Sequence, residues 1–312
     1  MKRWLAMLLL LLVPCCCACG AVKRYSTTWY DSFDTVITLT GYAQSQQAFN
    51  KAAEAAHDEF IRLHNIFDSH SAHDGVVGAY AMNRGESPID PELQKIIDFC
   101  DDLYDQTYRR TDIRMGALIE VWDRYAKSGD SLPTQAELDT AALDRSQIDL
   151  GAVGKGYAVE RVAEILDELM PAYLIDAGGN VRSGAPPSSG RAWWMIGIQD
   201  PRESGVRLRL AVTNLSVVSS GDYERYFEVD GTRYHHIIDP DTKRPGGDIA
   251  QVTVLTKDSA LADYLSTVLF LLPYEKGRAL VEGMQGVDAI WVTDSGIANM
   301  TEGAKLRMTD GA

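Results

Sequence analysis

The sequence predicts an α+β fold. Segments with helical spacing of apolar residues and segments with strand-like alternation are mixed along the chain, without the strict strand–helix–strand order of a parallel α/β protein. The 312 residues are 46% hydrophobic and 24% charged, which is typical of a soluble globular protein with a full-sized core. This length allows one large domain or two closely packed lobes.

The N-terminus has the pattern of a targeting signal. Lys2 and Arg3 precede an apolar run at 4–13, which is short for a membrane span but fits the core of a signal peptide. Ala18 before Cys19 is similar to a bacterial lipobox. We therefore predict a signal peptide over 1–18 and lipidation of Cys19, which would tether the chain to the outer face of a membrane. An uncleaved anchor and a metal-binding cysteine cluster are the alternatives.

Cysteine and charge content exclude two classes of protein. Four of the five cysteines lie at positions 15, 16, 17 and 19, so Cys100 is alone in the remainder and a disulfide framework is excluded. The formal net charge is −14 and no basic patch stands out, which argues against a nucleic-acid partner. An acidic protein that handles a phosphate ligand would need a cation.

In the first half of the chain, a polar linker is predicted over 19–30 and a strand over 34–40. Apolar residues three and four apart predict a long helix over 46–67, and residues 68–85 have no period. Asp90, as an N-cap, opens a second helix that runs to Tyr104. A capping box, Thr134-Gln135-Ala136-Glu137, opens a short third helix.

Strands predominate in the second half. An apolar strand at 173–177 runs into a glycine turn, and Asp230-Gly231 is typical of a hairpin turn. Further strands are predicted at 194–198, 208–212, 216–218, 226–229, 234–238, 251–256 and 289–292, and helices at 258–271 and 273–284.

The most informative stretch is the glycine turn, Asp149-Leu150-Gly151-Ala152-Val153-Gly154-Lys155-Gly156-Tyr157-Ala158. Three glycines lie within six positions, before a segment with helical spacing. Glycine lets a backbone approach a ligand closely, and free N–H groups at a helix start favour an anion. The turn matches neither the Walker nor the dinucleotide fingerprint, so it is either a phosphate site or an ordinary strand-to-helix turn.

Two further pairs of residues could belong to a functional site. Asp263 and Thr267 are four residues apart and share a helix face, where their oxygens could bind a hard cation, although an exposed pair without function is the commoner case. His235 and His236 are adjacent on a predicted strand, so at most one of them is expected to face a given site.

Taken together, the ordered motifs resemble the ApbE family of FAD:protein FMN transferases. The motifs are 149–158, Asp-Ala-Gly-Gly-Asn-Val (176–181), Ser-Gly-Asp-Tyr-Glu-Arg-Tyr-Phe (220–227), His-Ile-Ile-Asp-Pro (236–240) and Ala-Asp-Tyr-Leu-Ser-Thr (262–267), and the resemblance runs from about 32 to about 292. It implies a T-fold-like α+β domain over 31–312. It also implies a Mg²⁺-dependent enzyme that splits FAD, attaches FMN to a threonine or serine of an acceptor flavoprotein and releases AMP.

The resemblance also implies roles for individual residues. Asp263, Thr267 and the backbone carbonyl of Ala152 would bind Mg²⁺, with Ser266 as a possible further oxygen. His236 would act as the catalytic base or phosphate partner. The flavin nucleotide would contact Phe33, Arg110, Thr111, Asp112, Asp149, Lys155 and Ile237. The family often has a tyrosine at the position of His70 and a glycine at the position of Lys243.

Because family members are commonly bacterial lipoproteins, the resemblance agrees with the N-terminal signal and implies an extracytoplasmic, lipid-anchored enzyme. Two rival functions stay open at this point. One is a flavin-binding lipoprotein without catalysis, and the other is an FAD pyrophosphatase that yields FMN and AMP.

Overall fold

The computed structural model describes residues 22–309. The predicted signal peptide and the lipidation site at Cys19 lie outside the described residues. The helices in this part of the chain are α1 (Gln46–Phe67), α2 (Ala79–Met82), α3 (Pro91–Tyr104), α4 (Gly116–Ser128), α5 (Gln135–Ala141), α6 (Gly154–Leu169), α7 (Ser259–Leu271), α8 (Tyr274–Glu282) and α9 (Glu302–Lys305). None of them combines the length and the apolar character that crossing a bilayer requires.

The strands form one large sheet and three small ribbons. The strands are β1 (Lys23–Trp29), β2 (Ile37–Ala43), β3 (Tyr173–Ala177), β4 (Asn180–Ser183), β5 (Trp194–Gln199), β6 (Val206–Val212), β7 (Leu215–Gly221), β8 (Tyr226–Val229), β9 (Thr232–His235), β10 (Ile238–Asp239), β11 (Arg244–Pro245), β12 (Gln251–Thr256), β13 (Asp288–Val292) and β14 (Ala298–Met300). The large sheet has the order β1-β2-β3-β4-β7-β12-β13-β14, and every neighbouring pair is antiparallel. This mixture confirms the α+β class.

The large sheet separates two hydrophobic cores. Alternate residues of its strands face α1, α6 and α7 on one side, where Phe60, Tyr264 and Trp291 are almost fully buried. The other side is covered by the β5–β6 hairpin, with Trp194 and Ile196 facing Val217 within the second core. A third, smaller cluster joins α4 and α5 to the β8–β9 hairpin.

The prediction of a linker over 19–30 is wrong for 23–29, because these residues form β1. Seven residues pair with β2, from Lys23 opposite Ala43 to Trp29 opposite Ile37. Tyr25 and Trp29 alternate toward α1, where Trp29 stacks on His57 with ring centroids 5.1 Å apart. The surrounding polar residues obscured this alternation in the sequence.

Two predicted strands have different bounds in the structure. The strand predicted over 34–40 begins only at Ile37, since Phe33 and Asp34 have positive φ angles of 55° and 49° and form a turn. The strand predicted over 234–238 is interrupted at His236 and Ile237, between β9 and β10. Both interruptions lie at the cleft described below.

Candidate active site

A large cleft of about 890 Å³ opens beside the end of the β3–β4 hairpin. Its walls include the turn between β1 and β2, the loop after α1, the segment before α4, the glycine turn, α7 and the β9–β10 junction. These elements are distant in sequence, yet each contributes one of the polar motifs. Predicted site residues that line the cleft are Phe33, Arg110, Thr111, Asp112, Asp149, Ala152, Lys155, His236, Ile237, Asp263 and Thr267.

The glycine turn brings the start of α6 against α7. A Cβ atom at Gly156 would lie 2.4 Å from both the Ser259 carbonyl oxygen and the Asp263 Cβ atom, so only glycine fits here. The Gly156 N–H donates to the Asp263 Oδ2 atom at 2.7 Å. The turn therefore holds the carboxylate that the sequence predicts as a metal ligand.

Asp263, Thr267 and Ala152, the predicted metal ligands, all line this cleft. Asp263 is only 6% exposed, and burial raises its pKa to about 6 although the nearby Lys155 ammonium acts to lower it. A buried carboxylate, a hydroxyl and the carbonyl of Ala152 are hard oxygen donors, which fit a Mg²⁺ ion. Asn180 is fully buried, and its side chain approaches the Asp263 carboxylate, where it acts to lower the pKa of Asp263.

Ser266 is placed differently from the other predicted ligands. Its side chain is fully buried and does not line the cleft. The hydroxyl is 2.7 Å from the Ser220 hydroxyl and donates to the Asp263 carbonyl oxygen at 2.7 Å. This geometry gives Ser266 a supporting position behind Asp263.

Lys155 lies near two carboxylates, Asp176 and Glu224, for which the sequence predicts no role. Its ammonium donates to the Gly178 carbonyl oxygen at 3.1 Å. Desolvation raises the pKa values of Asp176 and Glu224 and Lys155 acts in the opposite direction on both, although both side chains remain open to water in the cleft. Both acids belong to motifs that carry the resemblance, which was the only signal available for them.

His236 presents a defined face to the cleft. Its Nδ1 atom lies 3.2 Å from the Arg225 carbonyl oxygen. Because a carbonyl only accepts, Nδ1 carries the proton and Nε2 offers a lone pair. Desolvation and the Arg225 charge lower the pKa of His236, although the ring remains open to water in the cleft, which limits the loss of hydration. His235 packs instead on Phe270, with centroids 5.4 Å apart, so only one of the two histidines lines the cleft.

The predicted flavin contacts on the segment before α4 are held by polar partners. Arg110 forms ion pairs with Asp239 at 3.2 Å and Asp241 at 2.7 Å. The Asp112 carboxylate accepts from Arg145 at 2.8 Å and caps the following turn through the N–H of Arg114. Thr111 is buried, and its carbonyl accepts from the Tyr264 hydroxyl at 3.1 Å.

The opposite wall is formed by Asp149, Phe33 and Ile237. Asp149 accepts from the Ser69 hydroxyl at 3.2 Å, and the His70 Nε2 atom is 4.0 Å away. Phe33, in its left-handed turn, donates its N–H to His64 Nδ1 at 3.3 Å. Ile237 is 5% exposed and contributes an apolar surface.

Fold and site thus define an α+β protein with one acidic cleft suited to a cation and a phosphorylated ligand. A model of the ApbE family matches residues 33–291, and the chain belongs to this family. This match confirms the resemblance inferred from the motifs.

Three relatives illustrate the likeness. The chain is 35% identical over 225 residues to the FAD:protein FMN transferase of Treponema pallidum, covering 68% of this chain and 56% of that protein. It is 34% identical over 221 residues to the Klebsiella pneumoniae enzyme of the same name, covering 63% of this chain and 67% of that protein. The chain thus matches little more than half the length of the first relative. The crystal structure of the ApbE protein from Thermotoga maritima superposes with a TM-score of 0.81 at 27% identity, covering 92% of this chain and all of that one.

Proposed function

We propose that the protein is a Mg²⁺-dependent FAD:protein FMN transferase. It cleaves FAD, attaches FMN through a phosphoester bond to a threonine or serine of an acceptor flavoprotein, and releases AMP. The names of the Treponema and Klebsiella relatives support the reaction class. The observation that carries the proposal is the convergence of five separated motifs on one cleft.

The cleft residues would divide the work as follows. Asp263, Thr267 and the Ala152 carbonyl would hold Mg²⁺, which supplies charge neutralisation for the pyrophosphate. Lys155 would pair with a phosphate oxygen. The Nε2 lone pair of His236 would accept the proton of the acceptor hydroxyl while its oxygen bonds to the FMN phosphorus and the bond to AMP breaks. The proton of the hydroxyl thus passes to His236, and AMP is the leaving group.

The test uses protein lacking residues 1–19, FAD, Mg²⁺ and an acceptor with a Ser/Thr-Gly-Ala-Thr segment. Flavin fluorescence that stays on the acceptor after denaturation, together with AMP in solution, supports the transferase if a chelator abolishes both. AMP and free FMN without labelling of the acceptor would support hydrolysis. FAD that stays bound without AMP would support a flavin-binding lipoprotein.

We also propose that the enzyme is lipid-anchored on the extracytoplasmic face of a bacterial membrane. The support is the sequence pattern of 1–18 and Cys19 alone. Mass spectrometry of the membrane fraction should find a diacylglyceryl group on Cys19. A Cys19→Ser variant that stays equally membrane-bound would contradict this anchor.

A further inference from the structure

A second group of metal-ligating side chains lies at the end of α1, apart from the Asp263 oxygens. His64, Asp68 and His73 place one ligand atom each within 4.8 Å of one another. It is the one such group of three or more His, Cys, Asp or Glu side chains in residues 22–309. All three residues are partly buried, so an ion would be partly desolvated and still reachable from solvent.

The distance between Asp68 and His73 is suitable for two ligands of one metal ion. His73 Nε2 lies 2.9 Å from Asp68 Oδ2. Two ligands that each lie at about 2.0–2.2 Å from one ion, at tetrahedral or octahedral angles, are about 3 Å apart. An ion can therefore replace the proton between these two atoms with little movement, and His64 closes the third side.

The three ligands are supported by their surroundings. Asp68 caps α1, and its Oδ1 atom accepts from the N–H groups of His70 at 2.7 Å and Ser71 at 3.2 Å, which orients Oδ2 toward His73. His64 projects from the last turn of α1, and its ring centroid lies 5.5 Å from that of His73. The Phe33 N–H donates to His64 at 3.3 Å, a long and therefore weak bond that a cation can displace.

The donor set selects the kind of ion. Two imidazoles and one carboxylate suit Zn²⁺ and its first-row neighbours, whereas Mg²⁺ prefers oxygen donors. We propose that His64, Asp68 and His73 form a binding site for one divalent transition-metal ion, separate from the oxygen donors around Asp263. Open coordination positions would be filled by water.

The proposed metal site lies beside the large cleft, so a bound ion would stabilise part of the cleft wall. His64 and Asp68 also line the large cleft, and the residues after Asp68 include Ser69 and His70, which approach Asp149. An ion that joins α1 to His73 therefore braces the loop that contacts the first residue of the glycine turn. The metal would fix this wall without touching the residues assigned to phosphate transfer.

The test is a Co²⁺ titration of the full chain in detergent. Metal is first removed, accessible thiols are alkylated so that the N-terminal cysteines cannot bind, and Mg²⁺ is kept in excess to fill oxygen sites. We expect one Co²⁺ per chain with visible d–d absorption that Zn²⁺ displaces. His64→Ala and His73→Ala should each weaken binding by about 100-fold or more, since even outer partners of a metal site are worth about 10–100-fold.

Two controls separate this site from others. His57→Ala changes another histidine of α1, which bonds to Asp31 outside the cluster, and should bind Co²⁺ as wild type does. Asp263→Ala should also retain the signal. Circular dichroism checks each variant, and His73→Gln replaces His73→Ala if that variant unfolds. Absence of Co²⁺ binding in wild type, or undiminished binding in folded His64 and His73 variants, would overturn the proposal.

Discussion

Gly156 lies where the start of α6 packs directly against α7 at the cleft, so its replacement tests this contact. A Cβ atom there would lie 2.4 Å from the Ser259 carbonyl oxygen, whereas ordinary contacts begin at 3.4 Å. In Gly156→Ala, α6 and α7 must therefore separate by about 1 Å, since neither obstacle is the end of a flexible side chain. The same displacement lengthens the bond from Gly156 N–H to Asp263 Oδ2.

The magnitude follows from two opposing effects. Overpacking of this kind costs about 1–3 kcal/mol, and replacing glycine by alanine in a helix returns up to about 1 kcal/mol. We expect the free energy of unfolding of Gly156→Ala to fall by about 1–2 kcal/mol. Because a misplacement of about 1 Å at a reacting centre can cost about 100-fold in rate, Mg²⁺-dependent FMN transfer should fall by about two orders of magnitude.

Gly154→Ala is the matched control in the same turn. A Cβ atom at Gly154 meets its nearest neighbour, Leu150 Cβ, at 3.5 Å, which is an ordinary contact. Urea unfolding and transfer assays on both variants measure the difference. Wild-type stability and activity in Gly156→Ala, or equal losses in the two variants, would refute the argument from close helix contact.

Three further predictions concern single side chains. His236→Ala should keep FAD binding, measured by flavin fluorescence, and lose FMN transfer, whereas His235→Ala should keep both. Wild-type turnover of His236→Ala would show that His236 is not the base. Asp263→Ala should abolish Mg²⁺-dependent AMP release, and retained activity at ordinary Mg²⁺ would place the metal elsewhere. Lys243 has a left-handed φ of 63°, which strains any residue except glycine. Lys243→Gly and Lys243→Ala both lose the ion pair to Asp139, so their difference in stability reports the strain alone. We expect urea unfolding to show Lys243→Gly more stable than Lys243→Ala by about 1 kcal/mol. Equal stability of these two variants would show that the strain is absent.

The sequence predicted the elements whose signals are local. The helix predicted over 46–67 is confirmed with the same bounds, because its apolar spacing covers six turns and Ser45 caps its start. The Asp90 cap and the Thr134–Glu137 capping box are likewise confirmed, since both are bonds within a few residues. Such signals do not depend on the rest of the fold.

Elements defined by distant partners were missed. β1 is an edge strand whose identity depends on β2 and on α1 behind it, and its outward residues are polar. α4 is an exception, since its signal is local: Leu118 and Trp122 are four residues apart and both buried, yet the helix was not predicted. Asp176 and Glu224 lie within two of the motifs, yet their approach to Lys155 arises only when β3, β7 and α6 come together.

The charge of the cleft argues for a cation more strongly than any single ligand does. Among residues 22–309, only three lysine or arginine side chains line it, and Arg110 is already paired with two aspartates. Desolvation raises the pKa values of Asp123, Asp176, Glu224 and Asp263, although only Asp263 is buried and Asp176 and Glu224 remain open to water. The carboxylates that line the cleft are Asp34, Asp68, Asp112, Asp123, Asp149, Asp176, Glu224 and Asp263. A pyrophosphate would add further negative charge, so Lys155 and Arg225 alone are too few, and a bound cation lowers the free energy of both the site and its ligand.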